Sequence, residues 1–124
     1  MPEAPRTAVV LGASPDRSRI SNEAVRRLTA AGWRVVPVHP TANEVEGRPA
    51  VRSIAEVAGP VELLTVYVRP AIGEGLVPAI AALAPRRVVL NPGSESPRLV
   101  SLLAGAGLKA EEACTLVLLA TGKL

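Results

Sequence analysis

The chain has no phenylalanine and only one each of tryptophan (Trp33), tyrosine (Tyr67), histidine (His39) and cysteine (Cys114). Each scarcity removes a class of function. A lone cysteine forbids an internal disulfide and any cysteine-rich zinc site, and a lone histidine removes the other common metal-ligand spacings, so no metal is expected. Two aromatic residues cannot line a stacking platform for single-stranded nucleic acid. Long apolar runs are also missing. The longest late one, Leu116–Ala120, falls far short of the roughly 20 residues that cross a bilayer. The opening Met1-Pro2-Glu3-Ala4-Pro5-Arg6 has no apolar centre of the kind a signal peptide needs. A soluble, cytoplasmic protein without membrane or nucleic-acid partners is the expectation.

Charge is plentiful but unpatterned. The formal net charge is +3, and twelve of the fourteen basic residues are arginine, scattered from Arg6 to Arg98. Only Arg26–Arg27 and Arg86–Arg87 adjoin, so there is no basic arm or tail for a polyanion. The chain is rich in Ala, Val, Leu and Ile, the palette of helices packed on a buried parallel sheet. At 124 residues, with no repeat or linker, residues 1–124 read as one domain with one core.

Strand and helix signals alternate. Thr7–Leu11 is a β-branched run closed by Gly12, and Ile20, Ala24, Val25, Leu28 and Ala31 then recur at helical spacing up to Gly32. Trp33–Val38 is a second strand whose Pro37 suits an irregular or edge position. After a turn at Gly47, Ser53 and Glu56 have the capping-box spacing of a short helix that Gly59-Pro60 stops. Glu62–Val68 is a third strand. Ile72, Leu76, Ile80 and Leu83 then line one helical face, which Pro78 must kink or restart. Arg87–Leu90 is a fourth strand. Ser96-Pro97 opens a helix through Ala104 that Gly105 and Gly107 end, and Leu108–Ala113 is a fifth strand. Such alternation predicts an α/β, Rossmann-like open parallel sheet of about five strands, with strand one central and helices on both faces. Ligands of such sheets bind beyond the strand C-termini.

The chemistry is therefore sought in the segments that follow the strands. Gly12-Ala13-Ser14, with Arg17, Arg19 and Ser21 after them, occupies the place of a phosphate loop ahead of a helix N-terminus. The glycine spacing departs from the dinucleotide fingerprint, because its second and third positions fall on Ser14 and Arg17. At the end of strand two, where an acidic residue would read the ribose of NAD, stands His39, followed by Pro40. Arg17 and Arg19 favour a ligand with phosphates beyond the bridging pair, such as coenzyme A or NADP; the bland alternative is a pair of solvated surface charges. Arg69 and the Asn91-Pro92-Gly93 turn are further candidates, each against an ordinary role as strand end or turn. Asn91 is expected across the switch point from strand one. Cys114 falls at the same edge, where a small buried hydrophobe is the commoner role of a single cysteine.

The motifs Val10-Leu11-Gly12-Ala13-Ser14-Pro15, Val36-Pro37-Val38-His39-Pro40, Val45-Glu46-Gly47-Arg48, Tyr67-Val68-Arg69-Pro70 and Leu90-Asn91-Pro92-Gly93 follow one another in order, with Gly107-Leu108 leading to Cys114. In this the chain resembles the small stand-alone CoA-binding proteins related to the nucleotide-binding domain of the succinyl-CoA synthetase α subunit. The resemblance spans nearly the whole chain and departs at His39, where the family usually has Asn, and at Asn91, where it often has Gln. It implies a Rossmann-like domain holding coenzyme A through the Gly12 loop and the strand ends. It implies no reaction, and no nucleophile–base pair or carboxylate dyad is apparent.

The expectation is a CoA or acyl-CoA binding carrier, sensor or regulatory module. The rivals are an NADP- or NAD-binding oxidoreductase or redox-sensing domain, and an interaction protein that has lost its ligand. Homo-oligomerisation and association with another protein stay open. A side chain at Gly12 is expected to abolish CoA binding without unfolding the protein, by filling the space where backbone meets phosphate.

Overall fold

The computed structural model describes residues 5–124; Met1–Ala4, part of the segment read for a signal peptide, lie outside the described residues. The strands are β1 (Thr7–Leu11), β2 (Arg34–Val38), β3 (Glu44–Val45), β4 (Arg48–Pro49), β5 (Leu63–Val66), β6 (Val88–Leu90) and β7 (Ala110–Glu112). The α-helices are α1 (Ile20–Ala30), α2 (Pro70–Gly75), α3 (Val77–Leu83), α4 (Pro97–Gly105) and α5 (Thr115–Ala120), with a 3₁₀ turn at Ile54–Glu56.

Five strands form one sheet in the order β2-β1-β5-β6-β7, and every pairing in it is parallel. Period-two alternation divides each strand between two cores. Ala8 and Val10 of β1 face Val25, Leu28 and Trp33, joined by Leu118 and Leu119 of α5. Val9 and Leu11 face Val77, Ile80, Leu99 and Leu103 of α3 and α4. All five residues of β1 are buried, as expected of a strand covered on both faces. The protein is thus a doubly wound, Rossmann-like α/β domain.

One topological expectation is corrected. β1 has a neighbour on each side, but the middle strand is β5. The chain leaves β1 for β2 on one side and then crosses to β5 on the other, so the switch point lies between β1 and β5. Asn91, after β6, is one strand removed from it.

Local chemistry explains the remaining departures. Pro37 is tolerated because β2 is an edge strand. Its carbonyl turns outward to accept from Val51 N at 3.0 Å, so the missing N–H also falls on the side away from β1. Pro78 does restart the helix: α2 ends at Gly75, and Pro78 lies in the first turn of α3. The expected apolar face holds at Ile80 but not at Ile72, which is 43% exposed. Gly73 is buried in its stead, close enough to α4 that a Cβ there would lie 3.1 Å from Leu99 Cδ2. Ser96 caps α4 as its sequence suggests, accepting from Leu99 N at 2.9 Å. Helix α5, by contrast, falls in the segment after Cys114 that the sequence reading leaves without an element.

Candidate functional site

The register of the sheet builds the site. Leu11 is aligned with Val38 and Val66, Val66 with Leu90, and Leu90 with Glu112. The next residues, Gly12, His39, Tyr67, Asn91 and Ala113, therefore stand along one edge. Gly12, Arg69 and Asn91 all belong to segments that leave this edge, as the sequence reading requires. The two segments flanking the switch point are Gly12–Arg19 after β1 and Tyr67–Pro70 after β5.

Gly12 has φ +88°, and a Cβ there would lie 3.0 Å from Val68 Cγ1 and 3.2 Å from the backbone of Tyr67 and Val68. The space a side chain would fill is thus taken by the segment that follows β5. Glycine is favoured here by the fold itself, and a larger residue is expected to cost stability as well as any ligand binding. Ala13 is buried beside it. Ser14 Oγ accepts from Asp16 N at 3.1 Å. Asp16 in turn accepts from Ser18 N at 2.9 Å and Ser18 Oγ at 2.7 Å, bonds that hold its carboxyl below the usual range.

The loop is tied down by a residue the sequence reading passed over. Asn22, fully buried in the first turn of α1, donates from Nδ2 to the Ser14 carbonyl at 2.9 Å and to Glu46 Oε2 at 3.1 Å. Its Oδ1 accepts from Arg26 Nε at 2.8 Å. Glu46 sits at the tip of the β3–β4 hairpin with φ +50°, next to Gly47 at φ +75°. It also faces Arg17, whose Nε is 3.6 Å from Glu46 Oε2. Of the two loop arginines, Arg17 is therefore engaged. Arg19 is exposed at the N-cap of α1, and its side chain makes no hydrogen bond or ion pair among the described residues, although its charge helps to lower the pKa of Asp16. Ser21 is buried in the first turn.

The other candidates divide in the same way. His39 Nδ1 accepts from Thr41 N at 3.1 Å and Ala42 N at 2.8 Å, which fixes the proton of a neutral ring on Nε2. The imidazole thus shapes its own turn, with Pro40 exposed beside it. Arg69 is exposed and caps α2 through its backbone. Asn91 is buried and spent: Nδ2 donates to Thr65 Oγ1 at 2.7 Å and to the Val66 carbonyl at 2.9 Å, while Oδ1 accepts from Thr115 N at 2.8 Å. Its side chain braces β5, β6 and α5. Beside it Pro92 and Gly93 are exposed, and Gly93 N donates to Glu95 Oε2 at 3.0 Å.

Tyr67 is a second residue the sequence reading did not assign. Its ring packs in the α1 core, and Oη is buried without a hydrogen-bond partner among the described residues. The nearby Thr65 and Thr115 hydroxyls bond to each other at 2.7 Å. Burial pushes the phenol up to about 12, against a smaller opposing pull from those hydroxyls.

A cavity of about 310 Å³ lies elsewhere, lined by Arg6, Trp33, Glu62, Leu63, Arg86, Arg87 and Leu124. All but Leu124 precede or open the strands, so the cavity belongs to the opposite edge; there Arg6 stacks 4.1 Å from the Trp33 ring centre. It does not displace the switch point as the candidate site, because crossing connections open a crevice only at the strand C-termini.

Comparison with known proteins agrees with this architecture. Residues 6–120 match the family model described as CoA binding domain. A crystal structure of an uncharacterized protein superposes with a TM-score of 0.89 at 31% identity, over 98% of this chain and 100% of the other. The cell-free ID.343 structure from Thermus thermophilus has a TM-score of 0.86 at 32% identity, covering 97% and 91%. The uncharacterized protein YneT of Bacillus subtilis (strain 168) is 35% identical over 60 residues, 48% of this chain and 44% of YneT, so that alignment spans less than half of the relative. Because the match spans nearly the whole of this chain, the chain belongs to the CoA binding domain family.

Proposed function

We propose that the protein binds coenzyme A at the β1/β5 switch point and acts as a carrier, sensor or regulatory module without catalysing a reaction of its own. The observation that carries this reading is the Gly12–Arg19 loop, which leaves the switch point and leads into α1 with Arg19 uncommitted at the helix N-cap. The amides of a helix N-terminus and a free guanidinium suit a polyphosphate ligand. Membership of the CoA binding domain family supports the choice of nucleotide. No helix among the described residues is long and apolar enough to cross a membrane.

The second reading, an NADP- or NAD-binding domain, is disfavoured by the end of β2. A carboxylate would accept from ribose hydroxyls there, whereas the His39 ring has one nitrogen committed to the backbone amides of Thr41 and Ala42. Thermal denaturation with each nucleotide separates the two. CoA at one hundred times its dissociation constant adds about 2.7 kcal/mol by mass action and raises Tm by several degrees. NAD at the same concentration leaves Tm unchanged. A shift with NAD equal to or larger than that with CoA reverses the assignment.

A further inference from the structure

The tie between the hairpin and the phosphate loop is made by Glu46. Its Oε2 accepts a hydrogen bond from Nδ2 of the fully buried Asn22, which also donates to the Ser14 carbonyl. The same oxygen lies 3.6 Å from Arg17 Nε. Glu46 is presented by the strained hairpin tip rather than by the loop, so a separate element governs one of the two cationic groups in the loop. Phosphate oxygens and a carboxylate ask for the same guanidinium, and only one can hold it in bidentate fashion.

We propose that Glu46 is a positioning residue for the phosphate loop that also lowers its affinity for phosphate: through Asn22 it fixes the loop backbone, and its carboxylate competes with ligand phosphates for Arg17. The proposal rests on the reading of that loop as the CoA site. Arg17 lies within ion-pair distance of Glu46, and bound phosphate draws Arg17 away while Asn22 keeps its bond to Glu46. Glu46 thereby weakens the binding of every phosphate that reaches Arg17.

The test separates the charge of Glu46 from its hydrogen bond. Glu46→Gln keeps an oxygen for Asn22 and removes the competitor, so calorimetric titration should show CoA binding tightened about two- to fivefold, the range of an exposed ion pair. In an Arg17→Ala background the same substitution should lose most of that gain. No gain, or an equal gain in both backgrounds, overturns the competition. A second readout needs no ligand. The amides of Asp16, Ser18 and Arg19 are hydrogen-bonded within the loop, and Glu46→Ala should speed their hydrogen exchange about threefold or more while Glu46→Gln does not. Unchanged exchange in Glu46→Ala overturns the positioning role. Wild-type protein that fails to bind CoA while Glu46→Ala still loosens the loop overturns the ligand reading and leaves the positioning role standing.

Discussion

At the scale of single residues, Gly12 and Tyr67 carry the sharpest consequences. Gly12→Ala must hold φ near +88° with a Cβ pressed against the backbone of Tyr67 and Val68. We expect a loss of about 1–3 kcal/mol in urea denaturation, from backbone strain together with overpacking. Stability equal to wild type would contradict the contact. Tyr67 is the only tyrosine, so tyrosinate absorbance reports on it alone. Its native pKa of about 12 exceeds the ordinary 10 because burial opposes the charged form. A raised pKa means the native state keeps the proton longer than the unfolded state does. The associated stability is whole below pH 10 and is lost as pH rises from 10 through 12. Folded protein should titrate near 12, and a midpoint near 10 without unfolding would contradict the burial of Oη.

At the scale of elements, the decisive cross-link is Asn91. Its side chain joins Thr65 and Val66 at the end of β5 to Thr115 at the start of α5. Asn91→Ala orphans the Thr115 amide and removes a donor from Thr65 and Val66. Unfolding experiments should show a loss of about 2–4 kcal/mol, since buried polar groups without partners cost about 1–3 kcal/mol each. Hydrogen exchange should show α5 loosening first, at Leu118 and Leu119. A neutral substitution would mean that Asn91 is free for a ligand after all. The sequence marked Asn91 correctly as a residue of the strand-end turn but not as a brace. Donor and acceptor partners at Thr65 and Thr115 are separated from it by 26 and 24 residues, a spacing with no local signature. Helix α5 has no clear sequence signal for a related reason: six residues make too short a window for helical periodicity, and the helix is held by packing Leu118 and Leu119 into the α1 core.

At the scale of the whole molecule, parallel strands give the domain two unlike ends, and arginines stand at both. Arg19 and Arg69 lie at the C-terminal edge of the sheet and Arg86 at the opposite one. If CoA binds at the switch point, Arg19→Ala and Arg69→Ala should weaken it severalfold and flatten its salt dependence, whereas Arg86→Ala should leave titration curves unchanged. Weakening by Arg86→Ala alone would move the ligand to the cavity beside Trp33.

The sequence by itself determined the alternation of strands and helices, the parallel sheet, the break at Pro78, the Ser96 cap and the edge on which the candidate residues gather, because each follows from short-range periodicity or from the chemistry of one or two neighbouring residues. Tertiary structure alone decided that β5 rather than β1 is central, that Gly12 is favoured by the close approach of Tyr67 and Val68, that Asn91 spends its side-chain hydrogen bonds and His39 one ring nitrogen on protein, and that Glu46 reaches the loop. Which strands become neighbours, and which side chains meet across them, is set by how helices of particular size cover the two faces of the sheet, and that packing has no period along the chain.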